Sequence, residues 1–283
     1  MKKTILRIML IFILTTSLYS CGSIFEFPEE KIINISDNTN WKIIWEDNFD
    51  KDTIDYNFWS KTPRSKALWA KHMTNNDTCY EVKDGILILR GVVNNFIKND
   101  PSPYLTGGIE TIKKKNITYG KVEIKAKMNK VDTAWPAIWM KTEDRTWLGE
   151  IDIMETFDNY DKENLISQTV HSHYTINLGL KSSPNHTGVN MVNDKSEYNI
   201  YGVIINEKEV LFYVNNKITF TYPKTSTEED GQYPYGDPKF LILSMQLGHT
   251  MEGRAPSIKE LQPEMHVDWV RFYEKIDKTL PDY

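Results

Sequence analysis

The run "GEIDIMET", Gly149 to Thr156, places three carboxylates, Glu150, Asp152 and Glu155, within six consecutive positions of an otherwise apolar segment. Carboxylates this close cannot all ionise cheaply. At least one is pushed towards staying protonated near neutrality, which is what a general acid requires. On a strand, Glu150 and Asp152 share a face while Glu155, five residues on, points the other way. A one-residue β-bulge at Ile153 or Met154 corrects that parity and puts all three on one side, with Ile151 and one of the pair facing a core. The glutamates then lie effectively four strand positions apart, ~13 Å between Cα atoms, and side chains leaning inward bring their carboxyls to about 5 to 6 Å. That gap suits a covalent, configuration-retaining displacement at a glycosidic bond. A solvated acidic strand face and a calcium site are the other readings of the bare pattern.

Those carboxylates need a stiff platform, and the surrounding chain supplies strands. Short alternating runs recur along it, among them "WKIIWEDNF", "GILILRGV", "YGKVEIKAKM", "YNIYGVII", "KFLILSMQL" and "MHVDWVRFYE", with Gly, Asn, Asp or Pro in almost every gap. No helical periodicity lasts beyond about two turns, and no repeat at a fixed period points to a propeller or solenoid. The stretch "EVLFYVNNKITFTY" predicts a hairpin turning at Asn215-Asn216, because Asn tolerates positive φ. The expectation is an all-β, two-sheet antiparallel β-sandwich of jelly-roll, concanavalin A-like type, with a concave cleft and helix confined to short turns. One domain, residues 41–283, accommodates it.

The flanking sequence "TAWPAIWMKTEDRTWLGEIDIMET" resembles glycoside hydrolase family 16, whose signature is Glu-(Ile/Leu)-Asp-(apolar)-(optional apolar)-Glu after a Trp-Pro-Ala-x-Trp strand. The resemblance extends through "GGIETIKKKNITYGKVEIKAKM", "YNIYGVIINEKEVLFYVNN" and "PEMHVDWVRFY", covering nearly all of residues 41 to 274. It implies that Glu150 is the nucleophile, Glu155 the acid/base, and Asp152 a helper that hydrogen-bonds the nucleophile. The extra Met154 marks the bulged branch that contains laminarinases, agarases and carrageenases.

Aromatic rings suit the flat faces of sugars. Trp135 and Trp139, four apart on a predicted strand, share a face, and Trp147 adjoins the acidic motif; all three are candidate substrate-binding residues. Trp69, in the polar-flanked "KALWAKHM", is a candidate rim platform. His171 in "TVHSHYT" matches a histidine that bulged members place near the scissile sugar, and His173 shares its face by parity. Where many laminarinases carry a tryptophan loop, this chain reads "SMQLGHTMEG", Ser244 to Gly253, with Gln246 on the strand and no tryptophan, which marks Gln246 as a specificity candidate. No metal-ligand spacing of His or Cys is present, so no cofactor is expected to be required. Asp268 in "VDWVRFY" matches a position that supplies one ligand to a structural calcium, but Asn48 in "WEDNFD" stands where relatives of that pattern have Glu.

Residues 1–20 read as an export signal, with Lys2, Lys3 and Arg7 ahead of a short apolar core. "LYSCGS" resembles a lipobox, making Cys21 the lipid-bearing first mature residue, followed by a polar tether over 21–40. Loss of the three positive charges moves the formal charge from −5 to −8. Nucleic acid is therefore a poor partner, and membrane contact is expected through the lipid alone. The chain is expected to be a monomer, exported and lipid-anchored at the outer membrane or cell surface. With Cys21 lipidated, Cys79 has no disulfide partner. Taken together, the residues and the resemblance point to a retaining endo-β-glycanase, laminarinase-type endo-β-1,3(4)-glucanase first. An endo-β-galactosidase acting on algal galactans or host glycans is the close alternative. A non-catalytic glycan-binding lipoprotein is the reading from another class.

Overall fold

The computed structural model describes residues 38–131, 134–146, 148–156, 164–227, 231–248 and 262–280. All of them belong to the unit Lys31–Tyr283; Cys21 and the export signal lie outside the described residues. In chain order the strands are β1 (Trp41–Asp47), β2 (Ser60–Lys61), β3 (Tyr80–Lys83), β4 (Ile86–Val93), β5 (Tyr104–Thr106), β6 (Gly108–Glu110), β7 (Asn116–Ile117), β8 (Gly120–Met128) and β9 (Ala134–Thr142). They continue with β10 (Ile151–Glu155), β11 (Leu165–Val170), β12 (Thr187–Met191), β13 (Asn199–Ile205), β14 (Glu209–Val214), β15 (Lys217–Pro223), β16 (Lys239–Leu247) and β17 (Glu264–Lys275). Among the described residues helix is confined to single turns, three of 3₁₀ type and one π turn at His173–Asn177.

The strands form two antiparallel sheets. A nine-stranded sheet runs β15-β14-β13-β8-β17-β4-β3, with β1 added on β17 and β5 on β4; an eight-stranded sheet runs β12-β11-β10-β9-β16-β6-β2, with β7 on β16. Strand alternation sends one set of side chains from each sheet into a shared core. Ile138 and Met140 of β9, Leu241, Leu243, Met245 and Leu247 of β16, and Val122, Ile124 and Ala126 of β8 all belong to that cluster. Each fully buried Leu, Met or Ile contributes roughly 1.5–3 kcal/mol relative to exposure. The β14–β15 connection is the expected two-residue turn: Val214 pairs with Lys217, and Asn215 and Asn216 adopt φ of 49° and 66°.

The chain is already ordered just before β1. Asn40 donates its side-chain amide to Asp277 O (3.1 Å) and accepts from Asp277 N (2.8 Å), tying a 3₁₀ turn at Asn38–Asn40 to the end of the fold. Cys79 is buried and free of disulfide among the described residues, and burial pushes its thiol up to about 12.

A finding beyond the sequence expectation concerns the outer face of the eight-stranded sheet, which is not open throughout. Ala137 and Trp139 of β9 and Phe240 and Ile242 of β16 form a second apolar cluster there, covered by Trp69 and Ile112. Trp69 sits on a 3₁₀ turn, and its connection is clamped by Arg64, which donates to Met73 O (2.7 Å) and to both oxygens of Asp100 (2.6 and 2.7 Å). This roof bounds the carboxylates on one side.

Candidate active site

The bulge that parity demands is present. Ile151 pairs with Met140 and Asp152 with Trp139, but Met154 pairs with Ile138, so one residue of β10 is extra, and the β10–β11 register shifts over the same interval. Ile151, Ile153 and Met154 all lie in the inter-sheet core, so both members of the pair face inward rather than one. A bulge leaves a backbone group off the ladder. Gln168, fully buried on β11, donates its amide to Ile153 O (3.2 Å) while its own oxygen accepts from Asn190 (3.1 Å) and Thr219 (2.7 Å).

Glu150, Asp152 and Glu155 meet on the outer side. Glu150 and Asp152 are 6% and 3% exposed, low enough that their charges need partners. The Lys141 ammonium lies 2.8 Å from Glu150 Oε2, and His171 Nε2 lies 3.0 Å from Asp152 Oδ2 and 3.7 Å from Glu150 Oε1. Where the resemblance has Asp152 bonding the nucleophile, its observed bond runs to His171. Trp135 donates its indole N–H to Glu155 Oε1 at 2.9 Å.

The electrostatics separate the groups. Burial, reinforced by the charge of Asp152, raises Glu155 to about 8 against the smaller lowering effect of the Trp135 hydrogen bond. Burial and Asp152 also raise Glu150, while His171 and Lys141 pull it back down. Burial opposes a charge on His171, but the Asp152 charge and hydrogen bond, with Glu150 and Glu155, outweigh it and lift the imidazole to about 9. At neutral pH Glu155, held to about 8, keeps its proton, and His171, lifted to about 9, is an imidazolium.

Neighbouring segments hold the ends of the acidic run. His171 N donates to Glu150 O (2.9 Å) and Gly149 N to His171 O (3.0 Å), extending the ladder past the strand limits. Immediately afterwards Ser172 and Thr175 form a reciprocal capping box that starts the π turn, which takes His173 off the strand and removes the parity that grouped it with His171. At the other end, the buried Lys195 donates to Thr156 Oγ1 (2.7 Å).

The remaining candidates divide. Trp135 is half-buried beside Glu155 and opposite Gln246. Trp139 shares its face but is only 4% exposed, because Trp69 packs edge-on against it (centroids 4.7 Å apart, 83°); the ring offered at the rim is that of Trp69. Trp139 N–H and Gln246 Nε2 both donate to Ser244 Oγ (3.1 and 2.7 Å), and among the described residues the buried Gln246 Oε1 has no hydrogen-bond partner. Trp147 and the stretch after Gly248 in "SMQLGHTMEG" lie outside the described residues. Lys141 is the residue the sequence reading passed over, although the alternation that groups Trp135 with Trp139 places it on the same face.

Asp268 Oδ2 receives the Lys125 ammonium at 2.7 Å, and among the described residues Asp268 belongs to no cluster of three or more His, Cys, Asp or Glu side chains. Glu150, Asp152 and His171 offer atoms within 4.8 Å of one another, but His171 and Lys141 already set positive charge against those oxygens.

The geometry can be placed beside known proteins. The chain is 33% identical over 243 residues to keratan-sulfate endo-1,4-beta-galactosidase of Sphingobacterium multivorum, covering 83% of this chain and 56% of that protein. It is 28% identical over 262 residues to glucan endo-1,3-beta-glucosidase A1 of Niallia circulans, covering 82% of this chain and 38% of that one. This chain thus spans about half or less of the length of those relatives. A solved structure from work on endo-acting O-glycanases with which prominent members of the human gut microbiota initiate mucin breakdown superposes with TM-score 0.71 at 29% identity, covering 83% of this chain and all of that one. The laminarinase of Rhodothermus marinus superposes with TM-score 0.73 at 22% identity, covering 84% and 98%, a likeness of fold. The model of Glycosyl hydrolases family 16 matches residues 69–271, so the strand order, the bulged carboxylate run and the sequence agree that the chain belongs to that family.

Proposed function

We propose that this protein is a retaining endo-β-glycanase that hydrolyses glycosidic bonds within polysaccharide chains. The observation that carries this reading is geometric: the bulge at Ile153-Met154 brings Glu155 to the same side as Glu150, whose carboxyl oxygens lie 2.8 Å from the Lys141 ammonium and 3.7 Å from His171 Nε2, while burial and the Asp152 charge hold the Glu155 proton to about 8. Glu150 attacks the anomeric carbon as Glu155 gives its proton to the leaving oxygen; Glu155 then takes a proton from water, which displaces Glu150. Asp152 favours the proton on both glutamates, Lys141 favours the charge on Glu150, and the Trp135 N–H favours the charge on Glu155.

Two substrate classes follow from the comparisons. Laminarinase-type cleavage of β-1,3(4)-glucan is supported by the 28% identity to the Niallia circulans enzyme. Cleavage of galactose-containing glycans is supported by the 33% identity to the Sphingobacterium multivorum enzyme and by the absence of tryptophan from Ser244 to Gly253. A reducing-end assay on laminarin, lichenan, agarose and keratan-type glycans separates them. No release from any of these by folded protein would favour the glycan-binding alternative. Export and lipid anchoring through Cys21 belong to the same proposal and rest on "LYSCGS"; Cys21→Ala should move the protein from the membrane fraction to the soluble one, and unchanged fractionation would count against anchoring.

A further inference from the structure

We propose that Lys141 is a positioning residue for the nucleophile, setting its ammonium against one oxygen of Glu150 so that the other faces the sugar and attacks. The inference rests on the glycanase reading for its chemical meaning and on geometry for its substance. Ile151 faces Met140 and Asp152 faces Trp139; one step further along the same register puts Lys141 directly opposite Glu150, the closest cross-strand relation available. Its ammonium lies 2.8 Å from Oε2, and both side chains are 8% exposed, so water screens the pair little. The Trp139 ring, 5.4 Å from the ammonium, and Phe240, paired with Lys141 on β16, wall it in.

The charges around Glu150 can be named element by element. β10 contributes Asp152 and Glu155, β9 contributes Lys141, and the end of β11 contributes His171, with the His186 ring 6.2 Å beyond it. β16 brings Lys239 near Gly149, but that ammonium donates to Tyr235 O (3.0 Å) and Asp237 O (2.8 Å). Arg145, over the Phe240 ring, is paired with Glu110. His171 stands nearer to Asp152 than to Glu150, so Lys141 is the cation committed to the nucleophile.

That placement acts in both half-reactions. As Glu150 Oε1 bonds to the anomeric carbon, the leaving oxygen departs with the Glu155 proton and the carboxylate charge facing Lys141 disappears. In the second half, Glu155 takes a proton from water, the new oxygen–carbon bond forms, and the bond to Glu150 breaks with its electron pair returning to the carboxylate. Lys141 stabilises that returning charge and so favours departure of the enzyme from the sugar.

The test is a carbon-13 NMR titration of glutamate side-chain carboxyls in the intact protein, with the Glu150 signal assigned by its loss in Glu150→Gln. Lys141→Met, close in size and uncharged, should raise the Glu150 midpoint by about one pH unit, a tenfold change in ionisation, and Lys141→Arg should restore it. On whichever substrate the wild type cleaves, the acid limb of kcat/KM should move up by the same amount in Lys141→Met. A Glu150 midpoint that does not move in Lys141→Met, or in Lys141→Gln should the first variant fail to fold, overturns the inference. Wild-type protein inactive on every glycan would sink the glycanase reading, while the midpoints would still decide what Lys141 does to Glu150.

Discussion

Replacing Trp135 with Phe should make Glu155 a weaker acid, against the intuition that opening a site by removing an indole makes a carboxyl easier to ionise. Two effects compete. The indole N–H donates to Glu155 Oε1 at 2.9 Å and so favours the ionised form, whereas the ring as a bulk helps keep water away and favours the neutral form. Hydrogen bonds to charged groups contribute about 1.5–3 kcal/mol, equivalent to roughly one to two pKa units. Because Trp135 is half-buried, the lower end of that range applies. Phenylalanine keeps most of the ring and loses the donor, so the hydrogen-bond effect wins: the Glu155 proton, held to about 8 in the wild type, should be held to about 9 in the variant. The assay is the basic limb of kcat/KM on an unactivated glycan, which needs Glu155 protonated. Lost stacking on a sugar would lower kcat/KM at every pH without moving that limb. Trp135→Ala removes bulk and donor together and should shift the limb less, or in the opposite direction. A basic limb that stays put or moves down in Trp135→Phe would refute the reasoning.

Stability should fall as pH rises from 6.5 to 9. His171 is lifted to about 9, so its stabilising pairing is complete below its ordinary 6.5 and is lost as pH climbs through 9; Glu155, held to about 8 against an ordinary 4.5, adds a penalty that accumulates from pH 4.5 up to 8, because the unfolded chain ionises it first. A drop in Tm of roughly 5–10 °C between pH 6 and pH 9 is expected, and a flat profile would contradict the charge assignment. Gln246→Ala removes a buried acceptor that has no partner among the described residues, so kcat/KM should change by about 3- to 10-fold for some glycans and not others; a uniform loss would exclude a specificity role. Glu155→Ala should spare aryl glycosides whose leaving group needs no proton, whereas Glu150→Ala should lose hydrolysis of all substrates and yield inverted product when azide is supplied.

Much of this site was legible as arithmetic on one short run. A separation of five positions puts Glu150 and Glu155 on opposite faces of a regular strand, so a shared function demanded a bulge, and the register supplies it at Ile153-Met154. The turn at Asn215-Asn216 was equally local, since positive φ selects Asn. What escaped was information held between distant segments. Nothing in "SQTVHSH" says that Gln168 will satisfy a bulged carbonyl fifteen positions earlier, because that depends on which strand pairs with β10. Trp69 over Trp139 required a loop to fold back across the sheet, so the sequence reading assigned both rings to substrate and the structure buries one beneath the other. Lys141 lay between these cases: alternation placed it on the catalytic face, but only the β9–β10 register set it against Glu150.

The central claim is that Glu150 and Glu155 straddle one glycosidic bond closely enough for a covalent intermediate. Proton NMR of the first sugar ends released from a β-linked glycan, recorded before mutarotation, tests it directly. The account predicts the β-anomer, the product of two successive inversions through a Glu150 glycosyl-enzyme. The α-anomer would mean a single displacement by water, a carboxyl gap of about 6.5–9.5 Å, and a bulge that does not bring the two glutamates together.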